Sequence, residues 1–176
     1  FGLHISADTP EGILTYKPGG ILAAADRFVI QVNGKQSHGS QPWASIDPIV
    51  TSAQIINGIQ TIISRQTELT KEGAVITVGM INSGIRNNII PESAEMIGTI
   101  RTLDPQMQDK IHADLIRTAT KIGESMDAQV TVEIERGVPV TFNDPALTTK
   151  AANWLNRSLG PEHVQLQRAI TGAEDF

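Results

Sequence analysis

Residues 27–32 have the sequence Arg27-Phe28-Val29-Ile30-Gln31-Val32, and this stretch decides how the fold is interpreted. Phe28, Ile30 and Val32 alternate with the other three residues, a period of two that is typical of a strand with one face on a core. Similar patterns predict three more strands over residues 74–81, 93–102 and 130–135. We therefore expect a four-stranded sheet.

Two helices are predicted between these strands. Each begins at an Asp-Pro pair, Asp47-Pro48 and Asp104-Pro105, in which the carboxylate caps the helix and proline occupies the first helical position. Apolar residues then recur at helical spacing. The predicted buried stripes are Ile49, Val50, Ala53, Ile56, Ile59, Ile62 and Ile63 in the first helix, and Met107, Ile111, Leu115, Ala119, Ile122 and Met126 in the second.

The order strand, helix, strand, strand, helix, strand predicts an α+β fold of the ferredoxin-like βαββαβ type. In this fold a four-stranded antiparallel sheet carries two helices on one face. We place this domain at residues 24–137, and assign residues 1–23 and 138–176 to a second body. A domain inserted between two pieces of another is joined to it by two adjacent connections, which favours a hinged lid.

A third Asp-Pro pair, Asp144-Pro145, predicts a helix outside this domain, with Gly160 as its C-cap. Its side chains expected to face inward are Leu147, Ala151, Trp154 and Leu155.

The composition is that of a globular protein, with 176 residues, 40% hydrophobic and 19% charged. The formal net charge of −5 argues against nucleic acid as a partner. The absence of cysteine excludes disulfides and thiolate sites within the sequence. Apolar runs are far shorter than the roughly 20 residues that span a bilayer, so we expect no membrane partner. The expected localisation is cytoplasmic.

A glycine-rich loop, residues 34–42, follows the first strand and contains His38. Gly34 and Gly39 permit backbone conformations and close approaches that side chains would forbid. The loop can therefore present the imidazole to a group outside the local fold. The alternative is a solvated loop histidine without a specific role.

Other segments occur in a fixed order with this loop. They are Phe1-Gly2-Leu3-His4 at the start, residues 81–92, which include Asn87-Asn88-Ile89-Ile90-Pro91, then Gly98-Thr99-Ile100-Arg101-Thr102, and Gly172-Ala173-Glu174-Asp175-Phe176 at the end. Together they resemble the M20 metallopeptidase family, and within it the amidohydrolase branch of hippurate hydrolases and indole-acetyl-amino acid hydrolases. Members of the family are longer and carry further metal ligands. We therefore expect a fragment that covers the lid and flanking segments of the catalytic domain.

The resemblance implies a metal-dependent amidohydrolase that cleaves N-acyl-amino acids or similar small amides. It implies two divalent metals per active site in the full-length enzyme, which could be zinc, manganese or cobalt. It also implies a homodimer formed through the lid domain. Val29 and Ile97, together with Val75 and Ile81, are expected to point away from the core and could be buried against a partner, or could be isolated exposed residues.

The resemblance also implies individual roles. His4 corresponds to a metal ligand, and Glu174 to an acid that contacts a metal or one of its ligands. His38 corresponds to the catalytic lid histidine that reaches into the neighbouring subunit and stabilises the oxyanion. Asn88 corresponds to an asparagine beside the substrate. Arg101 corresponds to an arginine near the substrate carboxylate, although a surface arginine in a weak ion pair is the alternative.

A second class of function stays open, namely a ferredoxin-like dimerisation or small-molecule-binding module without catalysis. The enzyme requires His, Asp and Glu ligands from outside this sequence, whereas the module requires none. The isolated fragment is expected to be inactive. His112 and His163 match none of these motifs, and we expect both to be solvated.

Overall fold

The chain folds around a four-stranded antiparallel sheet with two helices on one face, and the computed structural model describes residues 2–175. In chain order the strands and helices are β1 (Leu14–Tyr16), β2 (Gly19–Leu22), β3 (Ala24–Asn33), β4 (Ser37–His38), α1 (Pro48–Thr61), β5 (Ala74–Ser83), β6 (Ile89–Ile90), β7 (Ser93–Thr102), α2 (Pro105–Ser125), β8 (Gln129–Val138), β9 (Thr141–Asn143), α3 (Pro145–Leu159) and β10 (Val164–Leu166).

The main sheet has the strand order β5-β7-β3-β8, and every neighbouring pair is antiparallel. The stretch around Phe28 forms the inner strand β3, in which Ile30 lies opposite Met96 on one side and Val132 on the other. This order and the two helices α1 and α2 confirm the ferredoxin-like prediction. The segment between β5 and β7, predicted as a loop, contains the short strand β6.

The three predicted helix starts are confirmed. Asp47 accepts hydrogen bonds from the amides of Ile49 and Val50, at 2.8 and 3.1 Å. Asp104 and Asp144 each accept one from the amide three residues later, at 2.7 Å. A proline follows each aspartate at the start of the helix, where its missing N–H costs no hydrogen bond.

The core lies between the sheet and the two helices, and Phe28, Ile30, Val32 and Met96 are fully buried there. The predicted stripe of α2 is confirmed at its buried positions Met107, Ile111, Leu115 and Ala119.

The predicted stripe of α1 was wrong in its first turns, because Ile49 and Val50 are 45% and 46% exposed. The helix is rotated so that Thr51 and Ser52 face inward instead. Thr51 is tolerated in this position because its hydroxyl donates to the Asp47 carbonyl, at 2.7 Å. The inward residues of α1 are Pro48, Thr51, Ser52, Ile55 and Ile59.

The face of the sheet opposite the helices carries Val29 and Ile97, as predicted, since these residues pair with each other and alternate with core residues. The prediction for Ile81 was wrong. A β-bulge in the middle of β5 shifts the register, so that Met80 pairs with Ile97 and Ile81 pairs with the buried Met96. Met80 therefore replaces Ile81 on this open face.

The terminal segments pair with each other rather than with the main sheet. Strands β2 and β9 are antiparallel, and β1 and β10 are parallel. In α3, Leu147 and Trp154 are 48% and 57% exposed, contrary to the prediction, while Ala152 is buried. Gly160 caps this helix with φ of +95°, as predicted. Among residues 2–175, none of the helices combines the length and apolar character needed to cross a membrane.

Candidate functional site

The turn that carries His38 packs directly against the segment that carries Asn88. Strand β4 pairs with β6, which places His38 opposite Ile89. The Gly39 amide donates to the Asn88 carbonyl at 2.8 Å. A Cβ on Gly39 would lie 3.2 Å from that carbonyl, so a side chain there would require the Asn88 backbone to shift by a few tenths of an ångström. Two predicted site residues from distant parts of the sequence are thus neighbours.

The His38 side chain is exposed and is held by its own turn. Its Nδ1 atom lies 2.7 Å from the Ser40 hydroxyl and accepts the Ser40 amide N–H at 3.2 Å. The Gln41 amide donates to the His38 carbonyl at 2.8 Å, and the Ser37 hydroxyl donates to the Gln41 carbonyl at 3.1 Å. These bonds close a compact turn with the imidazole at its surface.

Arg101 lies on the open face of the sheet, where it pairs with Ala25 of β3 and Val75 of β5. It is half-buried and lines a shallow groove of about 560 Å³. Arg27 also lines the groove, with its guanidinium 4.0 Å from the Glu135 carboxylate. The groove therefore offers guanidinium groups beside apolar side chains, an arrangement suited to a molecule with a carboxylate end.

Arg101 and the His38 turn lie at opposite ends of the sheet. Strand β7 runs from Ser93, next to the β6 segment, to Thr102, beside Ala24. At 3.3–3.4 Å per residue, the eight steps from Ser93 to Arg101 span roughly 27 Å. A single copy of the chain does not bring Arg101 together with His38 and Asn88.

His4 and Glu174 converge from the two ends of the described chain, with His4 Nδ1 in contact with the Glu174 carboxylate. The Asp175 groups that hydrogen-bond this carboxylate, together with the neighbouring His4, hold the pKa of Glu174 below its ordinary value. Within residues 2–175, no three His, Cys, Asp or Glu side chains form a metal-binding cluster. Phe1 and Phe176, which belong to the two terminal motifs, lie outside the described residues.

A buried polar cluster was not predicted, and the expectation that His112 is solvated was wrong. His112 Nε2 and Gln108 Nε2 each lie 2.7 Å from Asp26 Oδ2, and the Gly137 amide donates to Asp26 Oδ1 at 3.2 Å. The sequence carries a signal for this cluster. Asp26 lies two residues before Phe28 in β3, so it faces the same side of the sheet. Gln108 and His112 are spaced by one helical turn beside the apolar stripe of α2.

The other unassigned histidine, His163, is partly exposed, and its Nδ1 lies 3.0 Å from the Gly12 carbonyl.

Comparison with known proteins connects this geometry to a family. Residues 24–127 match the sequence model of the M20 peptidase dimerisation domain. Over its full length the chain is 38% identical to thermostable carboxypeptidase 2 of Saccharolobus solfataricus and 34% identical to N-acetylcysteine deacetylase of Bacillus subtilis, and it covers 44% and 46% of their lengths. The chain thus spans less than half the length of these curated relatives.

Two solved structures are similar to this chain in sequence and in fold. A dinuclear metal-binding peptidase of the M20 family from Bacillus subtilis is 29% identical, with a TM-score of 0.74 over 97% of this chain and 41% of that one. A chain from methicillin-resistant Staphylococcus aureus is 25% identical, with a TM-score of 0.91 over 98% of this chain and 44% of that one. By sequence and by fold, this chain belongs to the M20 peptidase family and contains its peptidase dimerisation domain.

Proposed function

We propose that the protein containing this chain is a metal-dependent amidohydrolase that cleaves N-acyl-amino acids or similar small amides. Residues 24–137 would form its hinged lid and dimerisation domain, and residues 1–23 and 138–176 would belong to its catalytic domain. The carboxypeptidase and deacetylase names of the relatives support amide hydrolysis. The observation that carries the proposal is the pairing of the His38 turn with the Asn88 segment.

His38 would act as the donor to the oxygen of the scissile carbonyl. Its Nδ1 is engaged by Ser40, so Nε2 is the ring nitrogen available to a substrate. A preorganised donor of this kind stabilises the developing oxyanion, and its removal typically lowers kcat about 10²–10³-fold. Asn88, beside the same turn, would hydrogen-bond the substrate through its side-chain amide.

Arg101 would bind the carboxylate end of the substrate, because its planar guanidinium can donate two parallel hydrogen bonds. The strand length of roughly 27 Å that separates it from the His38 turn is much longer than an N-acyl-amino acid. We propose that each active site combines Arg101 of one subunit with His38 and Asn88 of the other. The functional unit would then be a homodimer.

The dimer contact would use strand β5, which is an edge of the main sheet and presents unpaired backbone groups. Ile81 on this strand and Ile49 on α1 are 49% and 45% exposed. Both lie on the side of the edge strand that the helices cover. Burial of such residues against a second copy would stabilise the dimer. Sedimentation that gives a monomeric full-length protein would contradict this arrangement.

His4 and Glu174 would contribute to the metal centre. An imidazole nitrogen and a carboxylate oxygen that converge fit a site for two divalent ions such as zinc, manganese or cobalt, with the remaining ligands from outside this sequence. A bound ion would supply Lewis acidity toward the scissile carbonyl. The dinuclear M20 relative from Bacillus subtilis supports this part of the proposal.

The test uses the protein expressed from the complete reading frame. After chelation, activity on a panel of N-acetyl and N-benzoyl amino acids is measured with each metal added back. His38→Ala should lower kcat about 10²-fold or more, whereas Gln36→Ala, an exposed neighbour in the same loop, should not. Absence of hydrolysis with every metal, or full activity of His38→Ala, would contradict the proposal.

A complementation experiment tests the shared site. His38→Ala and Arg101→Ala homodimers are mixed and allowed to exchange subunits. Each mixed dimer then contains one site with both native residues, so random exchange should restore about a quarter of the native activity. If each active site took both His38 and Arg101 from one subunit, mixing would restore no activity.

A further inference from the structure

We infer that Ser40 is a positioning residue for His38. Ser40 holds the imidazole in the tautomer that carries its proton on Nε2, and it directs that N–H away from the turn. This inference rests on the proposed role of His38 and adds a second residue to that site.

The tautomer follows from the two contacts of Nδ1. A backbone amide can only donate, so the Ser40 N–H at 3.2 Å requires Nδ1 to be an acceptor. The Ser40 hydroxyl, 2.7 Å from the same nitrogen, can donate to it as well. A neutral imidazole has one donor and one acceptor nitrogen, so the proton then lies on Nε2.

The turn around Ser40 is fixed independently of the imidazole. The Gln41 amide donates to the His38 carbonyl, and the Gly39 amide donates to the Asn88 carbonyl, both at 2.8 Å. The backbone of residues 38–41 is therefore held by contacts that do not involve the ring. Within this frame the Ser40 amide and hydroxyl meet the ring from one side, which leaves Nε2 as the nitrogen open to a ligand.

The chemistry of the proposed site depends on which tautomer the His38 imidazole adopts. An Nε2–H group stabilises negative charge that develops on the carbonyl oxygen. In the opposite tautomer, Nε2 would present a lone pair to that oxygen and would repel it. Because the oxygen gains its charge in the transition state, loss of Ser40 should lower kcat more than it changes KM.

The test compares three variants of the full-length enzyme. Ser40→Ala should lower kcat about 10-fold with KM within about twofold, since the backbone amide remains as a partial anchor. Ser40→Thr keeps the hydroxyl and should stay within about threefold of the native kcat. Ser37→Ala removes a hydroxyl that bonds only to the backbone of the same turn, and it should behave like Ser40→Thr.

The tautomer itself is read by ¹⁵N NMR of the histidine ring. The native enzyme should show a protonated Nε2 and an acceptor Nδ1 for His38, and Ser40→Ala should show a mixture. A native spectrum with the proton on Nδ1, or native kcat in Ser40→Ala, would overturn the inference. An equal loss in Ser37→Ala would also overturn it, because the loss would then come from the turn as a whole.

His38→Ala separates this inference from the proposed function. If His38→Ala loses activity and Ser40→Ala does not, the positioning role of Ser40 fails while the proposed function stands. If His38→Ala is fully active, the proposed role of His38 fails and the positioning role fails with it.

Discussion

Replacement of Asp26 with alanine is expected to destabilise the ferredoxin-like domain by about 3–5 kcal/mol. The carboxylate is only 3% exposed and accepts hydrogen bonds from Gln108, His112 and the Gly137 amide. Each buried donor left without an acceptor costs about 1–3 kcal/mol, and local rearrangement recovers part of the sum. The loss is large because one side chain joins β3, α2 and the end of β8.

The free energy of unfolding is measured by urea denaturation of the full-length protein, followed by circular dichroism. With an m-value of about 2 kcal/mol per molar urea, the expected loss lowers the midpoint by roughly 2 M. Asp109→Ala is the matched control, because this carboxylate also bonds to a basic side chain, Arg136, but is exposed. Its midpoint should fall far less than that of Asp26→Ala, because an exposed ion pair contributes little to stability.

A double-mutant cycle with His112→Ala separates the buried pair from simple loss of packing. If the imidazole and the Asp26 carboxylate interact as their 2.7 Å distance indicates, the double variant should lose less than the sum of the two single variants. Additive losses, or an Asp26→Ala midpoint within about 0.3 M of the native value, would refute the reasoning.

Two further predictions concern packing and pH. Gly98→Ala should destabilise the domain by about 1–3 kcal/mol, because a Cβ there would overlap the ring of Phe28. Gly79→Ala should be tolerated, because its Cβ would lie 3.9 Å from the nearest atom. Thermal unfolding of the two variants distinguishes these outcomes. The hydrogen bond and charge of Arg136 hold the pKa of Asp109 below its ordinary value, so this contact stabilises the fold above about pH 4 and is lost as pH falls through the lowered pKa. Arg136→Gln should therefore lower the urea midpoint slightly at pH 6, as Asp109→Ala does, and should have still less effect at about pH 2.5. An equal effect at both pH values would contradict the ion pair.

The secondary structure could be predicted from local patterns, and the errors have identifiable causes. The period of two around Phe28 marks β3, and the Asp-Pro pairs mark the three helices. Periodicity did not reveal the rotation of α1, because Thr51 is buried through a hydrogen bond to the backbone. It also did not reveal the face of Ile81, because a bulge adds one residue to β5 and shifts the pairing that follows.

The candidate site was predicted residue by residue, but not its arrangement. His38 and Asn88 are separated by many residues, and the pairing of β4 with β6 brings them together. Arg101, predicted for the same substrate, lies at the other end of β7. The strand predicted over residues 93–102 already implied this separation, whereas the pairing of β4 with β6 was not predicted.

The amino-acid sequence by itself indicated the family, through motifs that resemble it in a fixed order, and the ferredoxin-like order of elements, through local periodicity. It also named the candidate site residues. Only the tertiary structure decided which residues meet. The contact of His4 with Glu174, the burial of His112 on Asp26 and the capture of the His38 ring by Ser40 depend on backbone placement in three dimensions. Hydrogen bonds form at distances near 3 Å, and a one-residue shift in register or a rotation of one helix would remove them.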